Sequence, residues 1–441
     1  MTAVSVLPAL GPSRAARRPV TAERTLDSGL RVLVVRRAGV PLVELRLRLP
    51  FAGRAAEHRA RASLLSSSML LGTADRTELE LAHALQEVGT ELGVTSDADR
   101  LLISGAVLRA GLPTLLDLLV ELLTQAAYPT SLVDGERRRL VEQLQMARSQ
   151  PDVIARVARA RRLFGDHPYG QAMPELDDVA AETATTVRRL HRNRVQPGGG
   201  TLVLVGDLSP ARTLDLVEQA LSVWSPGAAP VTTVAVPRLT VGPTVLVDRP
   251  GSVQSSLRLA GKSCVRTDPG YPAMQLANLV FGGYFSSRYV ENIREDKGYT
   301  YTPRSSIDHR QVVSSFYVDA DVSTNVTAPA LLETRYELGR MATLPVGQEE
   351  LDNARHYTLG NLALSTSTQA GLASTLIGLS GQGLGLDWLA AYRRGLLGVS
   401  VDDVLEQSRT YLAPAKLVTV VVGDAGAIHA DMETLGEVER A

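Results

Sequence analysis

The run SLLSSSMLLGT, residues 63–73, places Ser63, Ser66 and Ser67 at i, i+3 and i+4, so on a helix their hydroxyls share one face. Serine competes with the helix for backbone hydrogen bonds, so propensity does not explain a cluster of them. Taken alone, small polar groups at this spacing serve helix packing. A second arrangement lies in IREDKGYTYTP, where Arg294 and Tyr301 stand seven residues apart. Helical character is expected to end near Lys297 with Gly298 as the C-terminal cap, and Tyr299, Tyr301 and Pro303 then to begin a strand. Arg294 in a last helical turn suits the helix dipole, and tyrosine suits a strand. Local pattern therefore gives each residue a structural reason and leaves a joint chemical role open.

Other reactive side chains are sparse. The single cysteine, Cys264, sits in GKSCVRTD with no histidine nearby and reads as an inert thiol. One cysteine allows no internal disulfide and fits a reducing compartment, the cytoplasm. His83, His167, His191, His309, His356 and His429 include no pair at i, i+3 or i+4. The glycines in GGYFSSR lack the lysine of a phosphate-binding loop, which argues against a nucleotide site. Ser286-Ser287-Arg288 in the same stretch reads as a helix start.

The elements that must position these residues follow from a chain of 441 residues, enough for two to four domains. Hydrophobic residues make up 44% and charged residues 21%, a globular balance, and 46 Lys and Arg nearly cancel 47 Asp and Glu. Such a chain has no overall pull toward nucleic acid or an anionic membrane. No run of about 18 apolar residues is present, so no membrane span is expected. Residues 1–22 are rich in Pro, Ala and Arg, do not read as a secretory signal, and are expected to form a disordered arm.

The first strand pair is expected in SGLRVLVVRR and PLVELRLRLP. The second of these alternates Val43, Leu45, Leu47 and Leu49 with Glu44, Arg46 and Arg48, the pattern of a half-buried strand. Helices are expected over about 56–71, 77–89 and 112–126, and a long one from about 130 to 164 starting at the serine of PTSLVDGE. DDVAAETATTVRRLHRNRV reads as another, leading into the buried strand GGGTLVLVGDLS. A helix, a β-branched strand and Gly-Asp return at the C-terminus. Gly206-Asp207 and Gly423-Asp424 lie 217 residues apart, close to half the chain. HALQEVGTELGVTS and VENIREDKGYTYTP share a second pattern of helix, glycine and strand. Internal duplication accounts for both pairs. The fold class is α+β: two duplicated α/β halves, each a mostly antiparallel sheet with helices packed on one face. The halves span 23–224 and 244–441, joined by a Pro/Gly/Ala linker over 225–243.

Several collinear stretches now carry a resemblance: SGLRVLVV, MLLGTADRTELELAHALQEVG, GDHPYG, LVLVGDL, GSVQSSLRLAG, GGYFSSRYVENIREDKGYTY and VTVVVGD. In this order, from about residue 23 to 435, the chain resembles the pitrilysin/insulinase family of zinc peptidases, in its two-subunit branch. That branch includes mitochondrial processing peptidase and bacterial relatives. Catalytic members carry H-x-x-E-H shortly before the Gly-Thr that here is Gly72-Thr73. Its two histidines reach one zinc from one helix face, and its Glu polarises the attacking water. Counted back from Gly72-Thr73, the two histidine positions hold Ser63 and Ser67, and the glutamate position holds Ser66. Glu142 matches the distant third ligand, but a single carboxylate does not hold zinc. The family's Asn-Ala on the following strand is replaced by Gly93-Val94. Glu57-His58 imitates the motif with Arg54 in the first histidine position. It lies too far upstream, in an expected loop.

The resemblance also implies roles for Arg294 and Tyr301, which match an Arg and a Tyr of the family's non-zinc half. There they would stabilise the oxyanion formed when water attacks a peptide carbonyl. The implied molecule is a zinc-free subunit, half of a metalloprotease clamshell. It would hold no cofactor of its own and pair in a heterodimer with a homologous zinc-binding peptidase subunit around a peptide substrate. The alternative is a non-catalytic scaffold or peptide-binding subunit, like the core-protein relatives.

Overall fold

The computed structural model describes residues 18–225, 227 and 233–441. Most of the expected N-terminal arm and part of the expected linker lie outside the described residues. Thr21 and Ala22, placed in the arm by composition, instead open the first strand.

Two six-stranded sheets form. The first is built from β1 (Thr21–Thr25), β2 (Arg31–Arg36), β3 (Leu42–Pro50), β4 (Leu92–Ser96), β5 (Arg100–Leu108) and β6 (Thr201–Gly206), in the order β1-β2-β6-β3-β5-β4. The second is built from β7 (Thr244–Asp248), β8 (Gln254–Ser263), β9 (Arg304–His309), β10 (Ser314–Ser323), β11 (Val418–Gly423) and β12 (Val438–Arg440), in the order β12-β7-β11-β8-β10-β9. Replacing β2, β6, β3, β5 and β4 by β7, β11, β8, β10 and β9 maps one order onto the other. Only the outer strand differs: β1 runs antiparallel to β2, and β12 runs parallel to β7. In each sheet one inner pair is parallel, β2 with β6 and β7 with β11. Gly206 and Gly423 end equivalent strands, as the duplicated Gly-Asp motif requires.

Each half packs its own helices on one face of its sheet. In the first, Val32, Val34, Leu45, Leu47, Leu202 and Leu204 meet the apolar stripe of the helix Leu112–Gln125 and its neighbours. In the second, Leu257, Leu259, Phe316, Val318 and Val421 meet helices that include Tyr271–Asn278 and Thr327–Thr343. The opposite face of each sheet is covered by a helix from the other half. Leu33, Val35, Val203 and Val205 bury against Leu372, Ala373, Leu376 and Ile377 of the helix Gln369–Ser380. Val245, Val420 and Val422 bury against Ala155 of the helix Pro151–Phe164. β3 is consequently buried on both faces, and Glu44 and Arg48 are only 6% exposed. Its alternation marks an ionic layer under the exchanged helix, not a wet face.

Two expected helices are each divided. The long one from 130 to 164 is two, Thr130–Arg148 and Pro151–Phe164. Pro151 has no N–H to donate back and disfavours helical geometry at Gln150, so it begins the second helix. Thr130–Arg148 starts after Pro129 with no side-chain cap, so the serine is not its cap. DDVAAETATTVRRLHRNRV likewise gives Leu176–Ala181 and Ala184–Arg194, separated at Thr183, whose hydroxyl caps the second.

The seam between the halves is ionic at its centre. Arg258 of β8 is 2% exposed and donates to the Leu257 and Ala320 carbonyls and to Asp152 and Asp321. Asp319 of β10 accepts from Arg159 of the exchanged helix and lies 3.6 Å from Arg258 and 3.5 Å from Arg304. Removing Asp319 would leave two buried guanidinium groups facing each other. Asp319→Ala is therefore expected to destabilise the fold by about 3 kcal/mol or more in urea unfolding, and Asp319→Asn by less.

Candidate functional site

The serine run forms the helix His58–Ser68, whose inner side buries Ala60, Ala62, Leu64 and Leu65. On its polar side the hydroxyls turn back on their own helix. Ser66 Oγ donates to the Ala62 carbonyl at 2.8 Å and Ser67 Oγ to the Leu64 carbonyl at 3.2 Å. This i−4 and i−3 bonding is how serine is accommodated inside a helix. Ser63 is half-buried and Ser67 exposed. The helix packs against Thr130–Arg148 and over the edge strand β4. Glu142 sits exposed on Thr130–Arg148, with no hydrogen bond or ion pair among the described residues.

Gly72-Thr73 anchors the far end of the serine run. Gly72 has φ +115°, and a Cβ there would lie 2.8 Å from the Arg76 carbonyl, so the turn requires glycine. Thr73 Oγ1 donates to Glu121 on the helix Leu112–Gln125, and Arg76 pairs with the same carboxylate. His58 opens the serine helix and so is not in a loop, although Glu57 precedes it. Its Nε2 is 2.7 Å from the Phe51 carbonyl, and burial lowers its pKa. An imidazole so committed is not a free metal ligand. Among the described residues, no three of His, Cys, Asp and Glu gather closely enough to hold an ion.

Arg294 and Tyr301 do come together. Arg294 lies in a wide helical turn, Glu291–Asp296, that ends with Gly298 at φ +65°. Gly298 N–H donates to the Arg294 carbonyl at 3.1 Å and Tyr299 N–H to the Ile293 carbonyl at 2.8 Å, so the expected glycine cap forms. The strand begins later than expected, at Arg304, since Pro303 has no N–H for the ladder. Thr300 Oγ1 pins the intervening loop to the Asp321 carbonyl at 2.6 Å. Tyr301 thus stands on a bend, 78% exposed, and does not share a strand face with Tyr299, which packs against the core. The Arg294 guanidinium sits over the Tyr301 ring at 4.9 Å and over the Phe285 ring at 4.6 Å, held between two exposed aromatics. Its Nε faces Glu295 at 3.2 Å. The remaining Arg294 N–H groups and the Tyr301 hydroxyl have no hydrogen-bond partner among the described residues.

Sequence reasoning missed Phe285. Its signal was an aromatic flanked by glycines and serines, where no core periodicity called for one. Ser287 occupies a helix N-cap position as expected, although its buried hydroxyl makes no bond. Cys264 is buried, and burial with Asp268 nearby pushes its thiol up to about 12. His309 is pushed down to about 3 by burial and by Arg266, with Nδ1 2.7 Å from Ser314 Oγ and Nε2 3.2 Å from the Tyr271 hydroxyl.

Comparison with known proteins adds to this geometry. Residues 54–174 match the family model described as Insulinase (Peptidase family M16), and residues 181–357 match the one described as Peptidase M16 inactive domain. A Streptomyces coelicolor chain named an uncharacterized zinc protease is 25% identical over 368 residues, covering 81% of this chain and 79% of that one. A Bacillus subtilis chain named "Probable inactive metalloprotease" is 23% identical over 184 residues, 41% of this chain and 43% of its own. The crystal structure of a peptidase M16 inactive domain from Pseudomonas fluorescens superposes with a TM-score of 0.83 at 22% identity, covering 92% of this chain and 98% of that one. The chain therefore has the M16 inactive-domain fold.

Two outcomes are expected. Restoring the motif as Ser63→His, Ser66→Glu and Ser67→His should give a chain that retains one zinc after dialysis, measured by metal analysis, and adding Glu142→Gln should weaken that retention. The half-buried His309, with its depressed pKa, should also make folding acid-sensitive. Its native pKa lies below its unfolded value of about 6.5, so its contribution is full above that pH and is lost as pH falls toward 3. Unfolding midpoints followed over that window should fall less steeply in His309→Gln.

Proposed function

This chain belongs to peptidase family M16, and from that premise we propose that it is the zinc-free subunit of a heterodimeric metallopeptidase. The observation that carries the reading is a contrast within one molecule. The helix face where the ligands would stand holds Ser63 together with Ser66 and Ser67, the last two bonded to their own backbone. Meanwhile Arg294, half-buried, and Tyr301, exposed, are stacked and left with unused donors.

A partner chain with an intact H-x-x-E-H would hold zinc and supply the attacking water. This chain would supply the charge stabilisation. As the peptide carbonyl becomes tetrahedral, its oxygen gains negative charge. A guanidinium edge and a phenol O–H aimed there gain most at that moment. Stacking between Phe285 and Tyr301 fixes the guanidinium plane while leaving its edge free, so less entropy is lost on binding. The edge strands β4 and β9 each offer one unpaired side, to which a peptide could add as a further strand. Backbone pairing of that kind gives loose sequence preference. The single thiol supports a cytoplasmic setting for the assembly.

The competing reading is a scaffold or peptide-binding subunit with no part in the chemistry. The unused Arg294 and Tyr301 donors favour the catalytic reading.

With the zinc-binding partner present, Tyr301→Phe is expected to lower kcat by about 10²–10³ with little change in KM, measured in a reconstituted peptidase assay. Unchanged turnover in Tyr301→Phe would favour the scaffold. Stoichiometric zinc and peptide cleavage by the purified chain alone would sink both readings.

A further inference from the structure

A cavity of about 450 Å³ lies between the two halves, away from the serine helix face and from Arg294. The first half contributes Arg48 from β3, Arg59 from the serine helix and the β4–β5 turn. The second contributes Arg266, the β9–β10 turn and the residues following the helix Gln369–Ser380. Five arginines line it against three aspartates. The aspartates are already engaged. Asp97 holds Arg100 at 3.0 Å, and Asp308 holds Arg310 at 3.2 Å. Asp99 accepts from the Tyr169 hydroxyl at 2.7 Å, Thr233 Oγ1 at 3.0 Å and the Gln311 N–H at 3.1 Å.

No carboxylate among the described residues lies within ion-pair distance of Arg48, Arg59 or Arg266. Arg48 is the sharpest case. It is 6% exposed and makes no hydrogen bond to any described residue. Its guanidinium lies against Gly381, where a Cβ would come within 2.9–3.0 Å of it. Gly381 has ordinary helical backbone angles, so the space it leaves, not its flexibility, is what the site uses. Arg59 Nε is buried without a partner, and its NH1 reaches only the Ser96 carbonyl at 3.4 Å. Gln382 Oε1 is also buried and unpaired, while its Nε2 donates to the Arg310 carbonyl at 3.0 Å.

Water can satisfy N–H groups but does not neutralise buried charge, and uncompensated buried cations are costly. The C-terminal dipole of the helix Gln369–Ser380 offsets about half a charge, less than the excess of two. The duplication provides an internal control. By strand register, Arg46 corresponds to Arg258, and both are ion-paired. Arg48 corresponds to Ala260, so the fold does not require a cation there.

We infer that this cavity binds a small phosphate-bearing anion, held by Arg48 and Arg59 of one half and Arg266 of the other. Two excess positive charges match a dianion, and guanidinium forks match phosphate oxygens. The volume exceeds what a bare phosphate needs, and Gln382 Oε1 awaits a hydroxyl or amine donor, so a phosphate monoester of a hydroxylated small molecule fits best. The ligand would bridge the halves. This inference does not depend on the peptidase reading.

The test is titration of the full chain with inorganic phosphate, glycerol 3-phosphate and acetate at constant ionic strength set by chloride, followed by thermal unfolding and calorimetry. Saturable stabilisation by either phosphate compound, with none by acetate, is expected. Tighter binding of glycerol 3-phosphate marks a monoester site, and preference for inorganic phosphate marks a free-phosphate site. Arg48→Met should abolish the effect and, without ligand, melt no lower than wild type, since it removes an uncompensated buried charge. Gly381→Ala, which crowds the guanidinium, should weaken binding by about tenfold or more and decides the matter if Arg48→Met does not fold. Failure of wild type to respond beyond the chloride control, or equal responses in wild type and both variants, overturns the inference.

Discussion

Each sheet in this chain is closed on its second face by a helix that the other half provides, and the rest of the architecture depends on that exchange. A sheet of Val and Leu strands must bury both faces, and each half's own helices cover only one. Leu372, Ala373, Leu376 and Ile377 complete the first sheet, and Ala155 with its neighbours completes the second. Neither sheet is fully buried without the other half.

The same exchange sorts the charged residues of the central strands. Arg46, Arg48 and Arg258 project toward the exchanged helices, where water is scarce. Arg46 is paired with Glu44, and Arg258 with Asp152 and Asp321. Arg48 has no such partner and faces the cavity on the seam. Burial that would be a liability in a single half becomes a binding surface where two halves meet, because each brings cations the other does not neutralise.

The edges of the sheets escape this constraint. β4 and β9 are terminal strands, and the helix Glu78–Glu87 and the Arg294 turn each lead into one of them. Duplication gave both halves a helix, a left-handed glycine (Gly89 and Gly298) and an edge strand. The first copy starts its strand at Leu92, soon after the glycine. The second delays it until Arg304, and the added loop lifts Tyr301 off the core. One ancestral plan thereby yields a packed edge in one half and, in the other, an exposed Tyr301 stacked on a half-buried Arg294.

The amino-acid sequence alone determined the elements whose causes are local. It specified the alternating strands, the Gly298 cap, the duplicated Gly-Asp ends, the absence of ligating side chains at positions 63, 66 and 67, and through these the family resemblance. It misread what depends on a proline's missing N–H, as at Pro151 and Pro303, because periodicity runs smoothly through both. Only the tertiary structure decided which sheet each helix covers, that β3 is buried on both faces, that Phe285 completes the stack on Arg294, and that Arg48 lacks a counter-ion. The first, second and last of these turn on contacts between residues hundreds of positions apart, and the Phe285 stack on how a bend and a wide helical turn fold against each other. The burial of a charge is a property of what packs over it, and no local pattern encodes that.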